Sequence, residues 1–313
     1  LVDTISNSKQ VDKDSFEFEI SGPKLGTDGK SNGKQKVKCT TDGEFVFPDI
    51  AYVITDLKDK DGNYQKDESG NYTNSFTYTV NEVIPDGATD NVKNGITYDT
   101  KTYTVVVTIT DDQTGELKQF VAIKAGTDGY VTGGVTNNKG VYTLSAGENK
   151  ATFTNRYDAT TKYTFTVEKQ LAGRKFKDGD NFRFALLKGR TELQTIELKV
   201  GGENGVKVET DENGNQYLVG TFDAQEYGLS DVGKSYEYTI RELNPKKAMD
   251  GVTTDEDIYI VDVGITDNGD GTLKAEPKRV LGDKDKGETK VTFDKAVFTN
   301  KYQAEGTALI VGK

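Results

Sequence analysis

Three residues in the second half of the chain could react with one another if their side chains met in the folded protein. They are an amine, a carboxylate and a carboxamide: Lys169, Glu242 and Asn300. Side chains two positions apart on a strand point to the same face. By this spacing, the apolar residues on the same faces are Phe165 and Val167 for Lys169, Tyr238 and Ile240 for Glu242, and Ala296 and Phe298 for Asn300. The sequence therefore predicts that all three polar side chains are buried.

A lysine and a glutamate buried beside an amide predict a covalent reaction. Burial disfavours charge, so it lowers the pKa of a lysine and raises the pKa of a glutamate. The neutral amine could attack the side-chain carbonyl of Asn300, with protonated Glu242 polarising that carbonyl and moving protons as ammonia leaves. The product is a Lys169–Asn300 isopeptide bond that forms once and needs no cofactor and no metal. The alternative is a structural ion pair beside an asparagine that forms a turn.

The bulk composition excludes several other kinds of function. The 313 residues contain 40 Lys and Arg against 51 Asp and Glu, a net charge of −11. Nucleic acid is excluded as a partner, because phosphate binding requires a basic surface. Histidine is absent and Cys39 is the single cysteine, which excludes histidine-based catalysis, most zinc sites and an internal disulfide. The longest apolar runs are too short to span a bilayer, so we expect no membrane insertion.

The elements that must position the reactive residues are short strands. Alternating or apolar runs such as FTYTVNEV, KTYTVVVTIT, KYTFTVEK and YEYTIREL are separated by turn sequences such as KDGN, DENGN and DNGDG. Short strands at this spacing favour an all-β fold of antiparallel Ig-like sandwiches.

The chain also repeats its own pattern. ATFTNRY returns as AVFTNKY, and FTYTVNEVIP returns as YEYTIRELNP. The repeat predicts two homologous β-sandwich domains at 1–157 and 158–302, with a C-terminal segment at 303–313 left over.

The first strand of the first domain is nearly absent from its expected place. Aligning Asp14 with Asp180 without gaps places Leu1 at Val167, and a three-residue insertion would place Leu1 just after Lys169. Either alignment predicts that domain one lacks nearly all of its first strand.

The first domain repeats the glutamate and the asparagine as Glu82 and Asn155, both in phase with apolar residues. The missing strand is found at the other end of the chain, where TALIVGK matches YTFTVEK and Lys313 matches Lys169. We therefore predict that 303–313 is a donor strand that completes a domain one, that Lys313 bonds to Asn155, and that Glu82 catalyses this reaction.

The motifs FTVEKQLAGR, YTIREL and FTNKY, found in this order, resemble those of the pilin isopeptide-linkage domains of Gram-positive shaft pilins, which have the CnaB-type Ig-like fold. The resemblance covers 158–302 and, apart from its first strand, 1–157. The roles that it implies are nucleophile for Lys169, acceptor for Asn300 and Asn155, and catalyst for Glu242 and Glu82.

The resemblance implies a structural subunit of an extracellular pilus or cell-surface fibre, with copies of itself head-to-tail as partners. Lys313 would join Asn155 either in the next subunit or in the next repeat of a longer chain, and the sequence leaves both open. The alternative function is a stalk or binding module of a surface adhesin, with host matrix or glycan as its partner. A secreted enzyme is not favoured, because the sequence has no histidine, no metal-binding constellation and no organised set of nucleophiles.

Overall fold

The computed structural model is built almost entirely from strands and tight turns. The described residues are 2–6, 13, 15–41, 43–125, 131–133, 135–138, 141–144, 151–245, 247–283 and 287–306. The chain divides into two units, Leu1–Asp158 and Ala159–Lys313, called domain one and domain two below. The all-β fold with two tandem Ig-like sandwiches, predicted from the sequence, is confirmed.

Domain one is built around two sheets. Its strands, within the described residues, are β1 (Val2–Ser6), β2 (Glu17–Gly22), β3 (Gly33–Lys38), β4 (Gln65–Lys66), β5 (Tyr72–Glu82), β6 (Val92–Lys93), β7 (Ile96–Thr97), β8 (Thr102–Asp111), β9 (Leu117–Ala125), β10 (Val131–Gly133), β11 (Val135–Asn138), β12 (Val141–Leu144) and β13 (Thr152–Tyr157). One sheet has the order β10-β9-β8-β5-β2-β3, with β4 also on β5, and the other has the order β1-β13-β7-β6. The strands β11 and β12 form a separate hairpin.

Domain two repeats the two-sheet plan. Its strands, within the described residues, are β14 (Thr161–Tyr163), β15 (Thr166–Ala172), β16 (Asn181–Lys188), β17 (Thr191–Lys199), β18 (Glu209–Thr210), β19 (Gln216–Thr221), β20 (Gln225–Tyr227), β21 (Ser235–Leu243), β22 (Val252–Thr253), β23 (Ile258–Asp267), β24 (Leu273–Asp283), β25 (Gly287–Thr292) and β26 (Ala296–Tyr302). The sheets have the orders β17-β16-β21-β23-β24-β25 and β18-β19-β15-β26-β22, and β14 pairs with β20.

Helical structure in the described residues is limited to two short 3-10 turns, Ile54–Leu57 and Leu229–Asp231. None of the described helical segments has the length and apolar character that crossing a membrane requires.

Strands β15 and β26 lie side by side and run parallel, with Lys169 opposite Phe298 and Leu171 opposite Asn300. Along β26 every second side chain is buried, and Ala296, Phe298 and Asn300 form that buried row. Because alternate side chains of a strand point to opposite faces, the in-phase spacing seen in the sequence turns Asn300 towards the core.

The two sheets of each domain meet through aromatic side chains. In domain two Phe184 of β16 contacts Phe298 of β26, with ring centroids 5.2 Å apart. In domain one Phe18 of β2 contacts Phe153 of β13, with centroids 5.3 Å apart. All four side chains are buried, so each core lies directly beside the strand that carries the asparagine.

Candidate functional site

The three side chains of domain two that the sequence predicts to react meet inside its core. Lys169 comes from β15, Glu242 from the end of β21 and Asn300 from β26. Lys169 is 0% exposed, Asn300 1% and Glu242 9%. The three residues are distant in sequence, so only the paired sheets bring them together.

Each of the three groups contacts the other two. The Lys169 Nζ donates to Glu242 Oε2 at 2.7 Å and to Asn300 Oδ1 at 2.5 Å. The Asn300 Nδ2 donates to Glu242 Oε1 at 2.9 Å. Glu242 therefore contacts the amine nitrogen of Lys169 with one oxygen and the amide nitrogen of Asn300 with the other.

Burial moves both charged groups towards their neutral forms. It lowers the pKa of Lys169 from 10.5 to about 8, against the opposing effect of the Glu242 carboxylate. Burial also raises the pKa of Glu242, opposed by Lys169 and Asn300. A neutral amine beside a protonated carboxyl is the form in which the pair can react.

The contacts correct one detail of the predicted chemistry. The sequence assigned the polarisation of the Asn300 carbonyl to Glu242, but Glu242 faces the amide nitrogen of Asn300. The carbonyl oxygen instead accepts from the backbone N–H of Asp255 at 2.7 Å as well as from Lys169. Two donors at the same oxygen fix the orientation of the amide, because the NH₂ group in that place would face both of them.

Sequence reasoning missed Asp255. Its carboxylate accepts from the backbone N–H of Thr299 at 2.6 Å, so it binds the strand residue directly before Asn300. A Thr-x-Asp pattern recurs before the next long strand of both domains, ending at Asp99 and Asp255. That repeat is the signal that would have found it.

Domain one contains the same acceptor arrangement. Asn155 is 0% exposed and Glu82 4%, and the Asn155 Nδ2 donates to Glu82 Oε1 at 2.7 Å. The backbone N–H of Asp99 donates to Asn155 Oδ1 at 2.7 Å, and the Asp99 carboxylate accepts from the backbone N–H of Thr154 at 2.8 Å. The carboxamide, the carboxylate and the backbone donor are therefore duplicated together.

The structure corrects the prediction that the first strand of domain one is nearly absent. Strand β1 lies parallel on β13, as β15 lies on β26. Its register follows the gapless alignment, because Asp3 is opposite Phe153 as Lys169 is opposite Phe298. The edge groups of β13 need hydrogen-bond partners, and the first residues of the chain supply them.

Strand β1 is nevertheless a smaller element than its counterpart. It has five residues and, within the described part of the chain, pairs with β13 alone. Strand β15 has seven residues and pairs with β26 on one side and β19 on the other. In the pairing of β1 with β13, Asp3 occupies the register position that Lys169 occupies in the pairing of β15 with β26. Asp3 carries a carboxylate and no amine.

The remaining predicted site residue, Lys313, lies outside the described residues, as does most of the predicted donor strand at 303–313. Within the described ranges no group of three or more acidic or cysteine side chains is arranged to hold a metal ion.

Tandem Ig-like sandwiches with a buried asparagine, glutamate and backbone donor in each domain define a class of β-sandwich protein with isopeptide-type sites. A family model, FctA, described as the Spy0128-like isopeptide-containing domain, matches residues 3–158 and again 165–303. The chain belongs to this family, with two copies of its domain.

Solved structures of pilus proteins show weaker similarity. The major pilin protein T-13 from Streptococcus pyogenes is 19% identical, with a TM-score of 0.25 over 96% of each chain. A C-terminal fragment of the pilus adhesin SpaC from Lactobacillus rhamnosus GG is 14% identical, with a TM-score of 0.24 over 99% of this chain and 97% of that one. Structural similarity at this level does not support a conclusion about function. A comparison with curated proteins gave no match.

Proposed function

We propose that the chain is a structural subunit of a covalently stabilised extracellular pilus or surface fibre, in which Lys169 and Asn300 join autocatalytically. The observation that carries the proposal is the contact of a buried amine, a carboxylate and a carboxamide within 2.5 to 2.9 Å of one another. Membership of an isopeptide-containing pilin family supports the same conclusion. The chemistry runs once in each molecule, so the chain is not an enzyme.

In the proposed reaction, the neutral Lys169 Nζ attacks Cγ of Asn300 and a new C–N bond forms. The bond from Cγ to Nδ2 then breaks. Glu242, which contacts both nitrogens, accepts a proton from Nζ and delivers a proton to Nδ2, so that ammonia leaves. The products are one secondary amide and one ammonia, and the carboxyl returns to its starting state.

The proposed bond stabilises domain two and connects its two ends. It closes a loop of 131 residues, which in the chain-entropy model stabilises the fold by roughly 5 kcal/mol. Because β15 and β26 are the first and last long strands of the domain, tension along a fibre would pass through the crosslink and leave most of the sandwich unloaded. A crosslink of this kind resists reduction, which suits an extracellular chain with a single cysteine.

We further propose that Asn155 and Glu82 form the acceptor half of a second crosslink, to Lys313 of the next subunit or repeat. The acceptor geometry of Asn155 and Glu82 repeats that of Asn300 and Glu242, and the sequence around Lys313 matches the first strand of domain two. Head-to-tail joining of this kind makes an open filament.

Residues 45–50 provide part of the edge with which the donated strand would pair. Phe45 is buried and Val46 is 81% exposed, which repeats the alternation of buried Leu218 and half-exposed Val219 in β19. Residues 45–50, however, are not in a strand. A strand that replaces β1 beside β13 could also pair with this segment, as β15 pairs with β19.

Intact mass tests the bond in domain two. The folded chain should weigh one ammonia less than its sequence, Lys169→Met should restore the full mass, and Lys162→Met, at an exposed position, should not. Full mass in correctly folded chain would reject the bond.

Denaturing gel electrophoresis tests the second bond. Assembled fibres boiled in SDS should give a ladder that Lys313→Ala and Asn155→Ala both abolish, while Lys301→Ala, at an exposed position of β26, retains it. Monomer alone from native fibres would reject the bond between subunits, and a bond confined to longer tandem chains would identify the repeat version.

A further inference from the structure

We propose that the backbone N–H of Asp255 stabilises the oxyanion that forms on Asn300 during bond formation, and that the Asp255 carboxylate positions this donor. The inference rests on the proposed Lys169–Asn300 bond and adds the group that the reaction needs at the carbonyl oxygen.

The geometry at Asn300 Oδ1 carries the proposal. Two donors contact this oxygen, Lys169 Nζ at 2.5 Å and Asp255 N at 2.7 Å. When Nζ bonds to Cγ, it is attached to the same carbon as the oxygen and can no longer donate to it. The Asp255 N–H is the donor that remains as Oδ1 changes from a carbonyl to an oxyanion.

The donor is fixed before the reaction begins. The Asp255 carboxylate accepts from the backbone N–H of Thr299 at 2.6 Å and from that of Asp257 at 2.9 Å. These bonds connect the loop before β23 to the strand that carries Asn300. A donor already in place at the buried side chain of Asn300 needs no reorganisation when charge develops on the oxygen.

Domain one supplies an independent copy of the arrangement. The Asp99 N–H donates to Asn155 Oδ1 at 2.7 Å and its carboxylate accepts from Thr154 N at 2.8 Å. The sequences between the Thr-x-Asp pattern and the asparagine differ in length and composition between the domains. Because the contact between the Asp N–H and the asparagine oxygen is present in both domains despite that difference, we infer that the acceptor asparagine requires it.

The charges balance without another reactant. Attack by the neutral amine of Lys169 leaves a positive nitrogen and an anionic Oδ1 on one tetrahedral carbon. The proton on that nitrogen passes through Glu242 to Nδ2, and the carbonyl re-forms as ammonia departs. The Asp255 N–H stabilises the intermediate and gives up no proton.

A backbone amide-to-ester replacement at residue 255 tests the donor directly, because it removes the N–H and keeps the side chain. The full chain is assembled by ligation in denaturant, so that no crosslink exists, and refolding starts the reaction. Loss of ammonia is followed by mass spectrometry. The ester should slow bond formation by about 10²- to 10³-fold, the effect of removing one oxyanion donor elsewhere.

The matched control is the same ester at residue 99, which contacts Asn155 and should leave the rate of the domain-two bond unchanged. Equal rates for the 255 ester and the all-amide chain would overturn the proposal and leave the crosslink itself standing. Equal slowing by both esters would assign the effect to folding and overturn it as well. An all-amide chain that folds without losing ammonia would reject the crosslink, and the oxyanion donor with it.

Side-chain variants test the positioning role separately. Asp255→Asn keeps the N–H and one oxygen for Thr299, so its rate should stay within a few-fold of the unmodified chain. Asp255→Ala removes the bonds to both Thr299 and Asp257 and should be at least about tenfold slower, because two ordered hydrogen bonds are lost. Both rates are measured on molecules that reach the native circular dichroism spectrum. An alanine variant that reacts as fast as the asparagine variant would overturn the positioning role.

Discussion

Domain one and domain two share an acceptor and differ in the strand that brings the nucleophile. In both, the asparagine amide is held by a glutamate and by a backbone N–H, with distances that agree within 0.2 Å. In domain two, Lys169 completes the arrangement from a strand paired on both sides. In domain one, Asp3 holds the corresponding register position in β1, whose pairing within the described part of the chain is with β13 alone.

The comparison shows that both domains build the same contacts around the asparagine. Asn155, Glu82 and Asp99 are hydrogen-bonded to one another as their counterparts in domain two are. The residue at the register of Lys169 differs between the domains. The following predictions test this comparison.

The largest effect is expected from Asp3→Lys. Because position 3 is opposite Phe153 as Lys169 is opposite Phe298, the new amine should reach Asn155 and form a bond with loss of one ammonia. Closing so long a loop should stabilise domain one by roughly 5 kcal/mol. Mass spectrometry and calorimetry measure the bond and the stability. Asp3→Lys with Asn155→Ala is the control, and an unchanged mass in folded Asp3→Lys would show that register alone does not bring an amine to Asn155.

Asn300→Ala and Asn155→Ala should lower the unfolding free energies of their own domains by different amounts. Domain two loses its crosslink, and its free energy of unfolding should fall by roughly 5 kcal/mol in addition to the lost hydrogen bonds. Asn155→Ala removes the hydrogen bonds to Glu82 and to the backbone N–H of Asp99 and should cost about 1–3 kcal/mol. Differential scanning calorimetry resolves the two transitions, and similar shifts for the two variants would contradict the difference between the domains.

Glu242→Ala should slow bond formation in domain two by about 10²- to 10⁴-fold, the usual contribution of a positioned acid–base group. Glu82→Ala should leave that rate unchanged, because Glu82 contacts Asn155 in the other domain. The rates come from the mass of chains refolded for increasing times. A similar loss in both variants would point to a general folding defect.

The rate of bond formation should have a bell-shaped pH dependence, because the Lys169–Glu242 pair must hold one shared proton. Burial lowers the pKa of Lys169 to about 8 and raises that of Glu242. The pair takes up a second proton at acid pH and loses the shared proton above about pH 8, so the rate should fall on both sides. Refolding across pH with mass detection measures this profile. A rate that keeps rising well above pH 8 would exclude a protonated glutamate, and the Asp3→Lys variant should give the same shape at Asn155.

The smallest effects concern a tyrosine that each domain places against the asparagine strand. The Tyr259 hydroxyl donates to the Val297 carbonyl at 2.9 Å, and Tyr103 donates to the Thr152 carbonyl at 2.7 Å while accepting from the Thr152 N–H. Tyr259→Phe should cost about 1 kcal/mol of unfolding free energy and Tyr103→Phe somewhat more. Chemical denaturation measures both costs. A negligible cost in one domain alone would show that the tyrosine contact does not stabilise the two domains in the same way.

Period-two spacing made much of this predictable from the sequence. Lys169, Glu242 and Asn300 each stand in phase with apolar residues, and strand geometry alone turns such residues to the core. The tandem sandwiches followed from the repeated motifs and the spacing of the turns. The reactive roles of the three residues stay predictions until the bond is measured.

Two features could not be predicted in this way. The Asp255 contribution to the site is a backbone N–H, which every residue except proline carries, so residue type does not reveal that role and only the repeated Thr-x-Asp pattern marks the position. The place of β1 depends on which segment satisfies the edge of β13, and hydrogen-bond pairing between backbones has little sequence preference. Its alignment was ambiguous by three residues, and the register settled it.

The sequence separation within the domain-two site would make the proposed Lys169–Asn300 bond a record of whether each molecule has folded. Lys169 lies 73 residues from Glu242 and 131 from Asn300, so the three side chains meet only after the sandwich has formed. Because an amide bond survives denaturant, a molecule in which the proposed bond had formed would keep it after unfolding. A mass spectrum taken under denaturing conditions would therefore count the molecules in a sample that have ever reached the native state, including those that have since lost it.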